Sequence, residues 1–438
     1  MSTLTAPRRW LVNDRHDVRS TLPSAIQAIM QNGLLDRVFQ EALLPEFMFP
    51  SIAMARPWRQ GIGDTGTFTR TGLLAPTTTP LGGADPSTQT YAIEQYSVTM
   101  DQYGIAMDTN MLQSAMTLEA KFIEDIEKLG ISAGQSLNRI SRDKLYKAYA
   151  GGRTWCITAA STDTSIQVQS VNGFTTVVVN GVPTPVSGAN PLPVMIAGVA
   201  NTVTGVNVGT RTLTLGTTRV DVVGDDVVSA NAPYSVRSAA TPRATAFNLA
   251  AGDFATMKSF RGAVARLRAM NVPTFGGYYV AHIDPYVETQ LFNDADFKQA
   301  LQGRVDSPIF RDLSIGRFGG IDWVRNNETP TLASGTDGLT VNVHRSIVLG
   351  GEALISAPFD GMGALLSATD VSDVPSIRMV DVVAGAQVAM IVRPPQDRLQ
   401  QVIGSAWSWV GDYGVPTDVT SGDAALYKRG VVVECSET

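Results

Sequence analysis

From Leu118, apolar residues recur at Phe122, Ile126, Leu129, Ala133, Leu137 and Ile140, in steps of three or four, and Tyr146 and Tyr149 extend the pattern. This spacing predicts one stripe of a single long helix. Thr117 can cap its start, and Glu119, Glu124 and Asp125 suit the positive end of the helix. Lys144 and Lys147 suit the negative end, and Gly151-Gly152 stops it. A helix of about 33 residues is a rod of roughly 50 Å, longer than most helices of a globular domain. It needs something long to lie against. Gly130 and Gly134, inside it, each cost about 1 kcal/mol relative to Ala, so the pattern predicts a kink or a close backbone contact there.

The chain on either side has a different character. Residues 1–59 read as an N-terminal arm, polar and charged to Ser20. Ile26, Ile29, Leu34, Val38 and Leu44 then mark a short helix over Ser24–Ala42. Pro45, Pro50 and Pro57 keep the stretch after this helix extended. Residues 60–100 predict a two-stranded excursion: Thr65–Thr71 has strand composition, Pro76–Pro86 is turn-rich, and Tyr91–Met100 alternates. Such a ribbon has little core of its own, so its ordering is expected to need a neighbouring molecule. Residues 101–152 hold a strand and the long helix.

Residues 153–240 lack helical periodicity. The strand-like runs Ser165–Val171, Thr175–Asn180, Val203–Val208, Arg211–Leu215 and Val220–Val223 predict a small all-β module inserted at a surface loop. From Ala250 the pattern is mixed α/β, with a helix over Asp253–Met270 and a strand over Tyr278–His282. Asp284 then caps a helix that has Pro285 in its first turn. Asp296–Gln302 reads as helical, Ile321–Arg325 and Val341–Val343 as strands, and Ile347–Ile355 as the start of another helix. Gln387–Val392, Gln401–Val410 and Gly430–Glu434 read as strands, with Trp407, Trp409 and Tyr413 on one face.

Composition narrows the function classes. A chain of 438 residues is too long for one simple core and predicts two or three subdomains. A net charge of −6 argues against a dedicated nucleic-acid binder, which needs clustered Lys and Arg; non-specific contact with DNA stays open. No signal peptide or apolar run of membrane-spanning length is present, so a soluble protein made in the cytosol is expected. Cys156 and Cys435 have no CxxC or Cys/His company, and His16, His282 and His344 have no paired histidine, so no metal site is expected. Gly61–Gly66 matches GxGxxG literally, but Pro57-Trp58-Arg59 precedes it and Thr67-Phe68-Thr69 comes after, where a dinucleotide site needs a buried strand and a helix. His282 with Asp284 is the best candidate for a general base. A structural histidine is the simpler reading, and no catalytic or cofactor-binding residue is assigned.

Three segments carry a resemblance: Gly277–Pro285, Arg317–Asn327, and Val415–Asp418 followed by Lys428–Glu434. With the order of arm, Gly/Thr-rich excursion, long helix, α/β region and closing strands, they resemble the major capsid proteins of tailed bacteriophages with the HK97 fold. That resemblance implies an α+β fold with an N-arm at 1–59, an E-loop at 60–100, and a P-domain strand and spine helix at 101–152. The inserted β-rich domain lies at 153–240, a mainly A-domain region at 241–400, and closing P-domain strands at 401–438.

The implied function is a coat protein that self-assembles into the hexamers and pentamers of an icosahedral head enclosing double-stranded DNA. It would be assembled in the bacterial host cytoplasm and located in the virion capsid. Its implied partners are itself, a separate scaffolding protein, a portal, a possible decoration protein and non-specifically held DNA, with no membrane and no cofactor. Gln60–Met100 contains no lysine, so the isopeptide crosslink formed by some members is not expected. Inter-subunit pairs are expected among Arg59, Arg70, Asp85 and Glu94 on the arm and Arg139 and Arg142 on the helix. The rival readings are a bacterial nanocompartment shell protein, which has the same fold, and a cytosolic α/β enzyme built around His282 and Asp284.

Overall fold

The computed structural model describes every residue except 1–33, 59–62, 72–73, 75, 82, 84, 92, 111–117, 181, 231, 240, 302–315, 363–376, 383–386, 396–397, 400, 416–427 and 438. The elements in chain order begin with α1 (Leu34–Leu43), β1 (Met54–Ala55), β2 (Thr65–Thr71), β3 (Ile93–Thr99), β4 (Asp101–Asn110) and α2 (Leu118–Tyr149). An all-β stretch comes next: β5 (Arg153–Trp155), β6 (Ala160–Gln167), β7 (Thr176–Val179), β8 (Val182–Pro185), β9 (Leu192–Ile196), β10 (Val199–Asn207), β11 (Thr212–Asp221), β12 (Asp226–Ser229) and β13 (Ser235–Arg237). Helices then return with α3 (Met257–Ala269), β14 (Tyr279–Ile283), α4 (Pro285–Asn293), α5 (Ala295–Leu301), β15 (Arg317–Phe318) and β16 (Ile321–Arg325). The chain closes with β17 (Thr331–Leu332), β18 (Val343–Leu349), β19 (Ile355–Pro358), β20 (Ile377–Asp381), β21 (Gln387–Arg393), β22 (Val402–Gly414) and β23 (Gly430–Ser436). The α+β class is as expected.

These elements form two compact units: Met1–Glu46, Gln102–Gln135 and Phe359–Val410 in one, Phe47–Asp101, Ser136–Pro358 and Gly411–Thr438 in the other. The division departs from the segments read off composition. The expected 241–400 region is shared between the two units, and α2 contributes residues to both. At 1.5 Å per residue, its 32 residues have a length of about 48 Å. Its bounds match the periodicity, although Thr117, the expected cap, lies outside the described residues. Phe122, Ile126, Leu129, Ala133 and Leu137 are buried as the stripe requires, and beyond them the buried side moves to Ser141, Leu145 and Tyr149.

In the first unit, α1 buries Leu35, Phe39 and Leu43, one residue per turn. Its expected start at Ser24 lies outside the described residues. Gly130 and Gly134 are where α1 meets α2. A Cβ on Gly130 would lie 2.6 Å from the Phe39 carbonyl oxygen, and one on Gly134 would lie 2.7 Å from that of Leu43. The close backbone contact predicted for these glycines is therefore present. Strands β20, β21 and the 402–410 part of β22 pair antiparallel, and β4 also pairs with β22. Along β22 every odd position from Ile403 to Tyr413 is buried, which is the one-faced pattern expected for Trp407, Trp409 and Tyr413. Tyr103 of β4 stacks on Trp409 with ring centroids 5.9 Å apart.

Two glycine-to-alanine substitutions should have opposite effects. Gly130→Ala gains helix propensity of about 1 kcal/mol but must displace α1, an overpacking cost of about 1–3 kcal/mol, so net destabilisation is expected. Gly262 in α3 is exposed with nothing within 4 Å of an added Cβ. Gly262→Ala is therefore expected to stabilise by up to about 1 kcal/mol. Urea midpoints of the two variants should move in opposite directions.

The main sheet of the second unit has the order β13-β23-β18-β14-β16-β15, with β17 on β18. Helices α3, α4 and α5 supply Phe260, Leu267, Val287, Leu291 and Phe297 to a core with Val431, Val433 and Trp323. Thr256 caps α3 through a reciprocal pair with Ser259, a few residues later than the Asp253 start read from sequence. Asp284 caps α4 as expected, accepting from the Val287 amide at 2.8 Å. The helix expected from Ile347 is not formed: Ile347–Leu349 completes β18 and Ile355 opens β19. Both strands are almost wholly buried, and burial on both faces removes the alternation by which a strand is recognised.

The inserted module is an antiparallel sheet, β5-β12-β9-β10-β11-β6, with the β7–β8 hairpin beside it. It has its own core of Ile166, Phe174, Leu192, Ile196, Val203 and Leu213. Strand β13, expected to be part of it, instead pairs in parallel with β23, so the module ends before residue 235 rather than at 240. Its entry and exit adjoin, with the Ser229 amide donating to the Gly152 carbonyl at 2.8 Å.

Candidate assembly interface

The arm is a ribbon in which β2 and β3 pair antiparallel from Thr65↔Thr99 to Thr71↔Ile93. Its base packs against its own chain. Phe68 stacks on Tyr96 at 5.7 Å, and Trp58 meets Phe68 edge-on. Tyr96 and Val98 are buried with Ile355 and Ala357. Gly66 is required here because the Trp58 ring occupies the space a Cβ would take. The glycine of the GxGxxG match thus serves packing inside a strand.

Beyond this anchor, every described residue from 74 to 91 is exposed. The tip and its flank carry Leu74, Leu81, Tyr91 and Ile93, each about half exposed, at 55%, 56%, 48% and 48%. Strand β8 packs beside β3.

The charged residues expected to pair between subunits have different fates. Arg59 lies outside the described residues, and Asp85 is exposed on the tip. Glu94 sits opposite Arg70 in the ribbon register. Arg70 is only 9% exposed and donates to the Glu352 carbonyl at 3.0 Å, with the Glu352 carboxylate 3.7 Å away. Arg139 grips Glu328 through two bonds of 3.0 and 2.9 Å, and Arg142 reaches the same carboxylate at 3.0 Å. The hydrogen bonds from Arg139 hold Glu328 below the usual carboxylate range. Arg70, Arg139 and Arg142 each have an acidic or carbonyl partner within the chain. Their charge is visible in the sequence, but the distant Glu328 and Glu352 that meet it are not.

The His282–Asp284 pairing on which the enzyme reading depends is not formed. His282 is 1% exposed, its ring lies 4.4 Å from that of Phe49, and its Nδ1 lies 3.3 Å from the Asn326 amide nitrogen. Burial pushes its pKa down to about 3. Asp284 instead holds His344 Nδ1 at 2.5 Å, with Glu437 3.6 Å from the other ring nitrogen. Burial opposes charge on His344, but Asp284 and Glu437 together outweigh it and raise its pKa above 6.5.

The two histidines act on stability with opposite signs. The unfolded chain takes up a proton at His282 that the folded chain refuses, so its contribution is present above pH 6.5 and lost as pH falls toward about 3. His344 contributes fully below 6.5 and loses that contribution as pH rises through its raised value. His282→Asn is expected to flatten the acid side of the stability profile, as read from urea midpoints between about pH 4 and 7.

No protein-family model matches the sequence, and no curated protein matches it. Among solved structures, the chain is similar to the capsid of Ralstonia phage GP4, with 12% identity and a TM-score of 0.49, covering 88% of this chain and 87% of that one. Similarity to the capsid of cyanophage Pam1 covers 91% and 93% of the two chains, at 11% identity and a TM-score of 0.47. The capsid of cyanophage P-SCSP1u is matched at 10% identity and a TM-score of 0.47, over 88% and 87%. All three are phage capsid structures.

Proposed function

We propose that this chain is a major capsid protein that self-assembles into the hexamers and pentamers of an icosahedral phage head around double-stranded DNA. One observation carries the reading: an arm anchored at its base presents an exposed apolar tip, including Leu74 and Leu81, that none of the other described residues covers. A closed shell asks each subunit for contacts within a capsomer and between capsomers, and a reaching arm beside a long rigid helix can serve both. In this reading, residues 60–100 are the E-loop, α2 is the spine helix, and 153–234 is the inserted domain. The role is structural, and the location is the virion capsid after assembly in the host cytoplasm. A separate scaffolding protein, a portal and a decoration protein are the further partners. The net charge of −6 suits a wall that packaged DNA touches without sticking.

Negative-stain microscopy of the purified chain, expressed with and without a co-expressed scaffolding protein, tests this. Shells, tubes or sheets are expected in at least one condition; uniform monomers in both would overturn it.

A further inference from the structure

Strand β23 places Val431, Val433 and Cys435 in the core under α3 and turns Val432 and Glu434 to the opposite face. Glu434 is 3% exposed, so its charge requires partners. The two neighbouring strands supply them at one register, Arg237 on β13 and Arg345 on β18. Arg237 Nε lies 3.0 Å from Glu434 Oε2, and Arg345 Nε lies 3.0 Å from Oε1. A third arginine, Arg153 on β5, reaches the same place from the root of the inserted module. All four residues line a small cavity with space for about one water-sized body.

The charges there do not balance. Three guanidinium groups face one carboxylate, a surplus of two positive charges. The C-terminal end of α2 also lines the cavity, but its partial charge of about half a unit offsets only a fraction. Asp226 acts on Arg153 more weakly than Arg237 or Glu434 does. Burial, then the nearby Arg237, depresses the pKa of Arg153. Donors are in surplus as well. Arg237 uses its Nη atoms on Ser235 Oγ and the Arg243 carbonyl, and Arg153 uses Nε on the Pro233 carbonyl. Among the described residues, the Nη atoms of Arg153 and Arg345 have no protein acceptor.

We propose that this cavity binds a small monovalent inorganic anion, such as chloride, between the Nη groups of Arg153 and Arg345. A space of about 10 Å³ favours a monatomic ion over the larger sulfate and phosphate. The bound ion would tie the root of the inserted module to the main sheet, and because it binds only the folded chain it would stabilise that chain.

The test uses the full chain in sodium chloride and in sodium gluconate at equal ionic strength, with melting temperature and chlorine NMR line width as readouts. A saturable rise in melting temperature with chloride, and line broadening reversed by bromide, are expected. Arg153→Met leaves the Arg237–Glu434–Arg345 row intact and should weaken the chloride response about tenfold or more. Equal melting in the two salts with no broadening means that the cavity holds only water, and the proposal fails. It fails too if Arg153→Met folds and keeps the full response. Crystals of the wild-type chain grown in bromide give a readout without any variant: an anomalous peak in the cavity supports the site, and its absence overturns it.

Discussion

Deleting residues 76–86 is expected to leave a folded monomer that forms no particles. All described residues of that segment are exposed, so the cost to subunit stability should stay within about 0.5 kcal/mol. Its loss is felt in assembly. A large apolar side chain such as Leu81 contributes about 1.5–3 kcal/mol when it is buried against a neighbour, and each 1.4 kcal/mol is about tenfold in a contact's equilibrium constant. Because a shell needs many such contacts at once, the penalty multiplies across subunits. Sedimentation and negative-stain microscopy should show soluble monomer with unchanged circular dichroism. Normal particles from the deletion would contradict the role given to the arm.

Glu434→Gln should be among the most destabilising single changes in the second unit. The substitution keeps the side chain's size and leaves Arg153, Arg237 and Arg345 facing one another without their carboxylate. Removing one partner of a buried ion pair costs about 3–5 kcal/mol, and like-charge repulsion acts in the same direction. A urea midpoint within error of wild type would show that the row is solvated and energetically idle. For scale, Arg139→Ala removes an exposed pair with Glu328 and should cost less than about 1 kcal/mol.

The parts of this fold legible in the sequence are those with a long, one-sided period. The stripe from Phe122 to Leu137 locates α2, and the cost of glycine in a helix points to the contact that Gly130 and Gly134 make with α1. Val343–Leu349 is not legible as one strand, because a strand buried on both faces shows no alternation. The arginines of the arm and helix stand out as charges seeking partners, but which partner a charge meets depends on loops far away in the chain. The Arg237–Glu434–Arg345 row has one signal in the sequence, a lone glutamate in the apolar run Gly430–Cys435. Its arginines come from strands on either side and cannot be matched without the register.

The hydrogen bond between Gly152 and Ser229 also bears on how the chain could be cut and rejoined. Since the β module leaves the chain where it entered and carries its own core, removing it would leave two ends that a short linker can join.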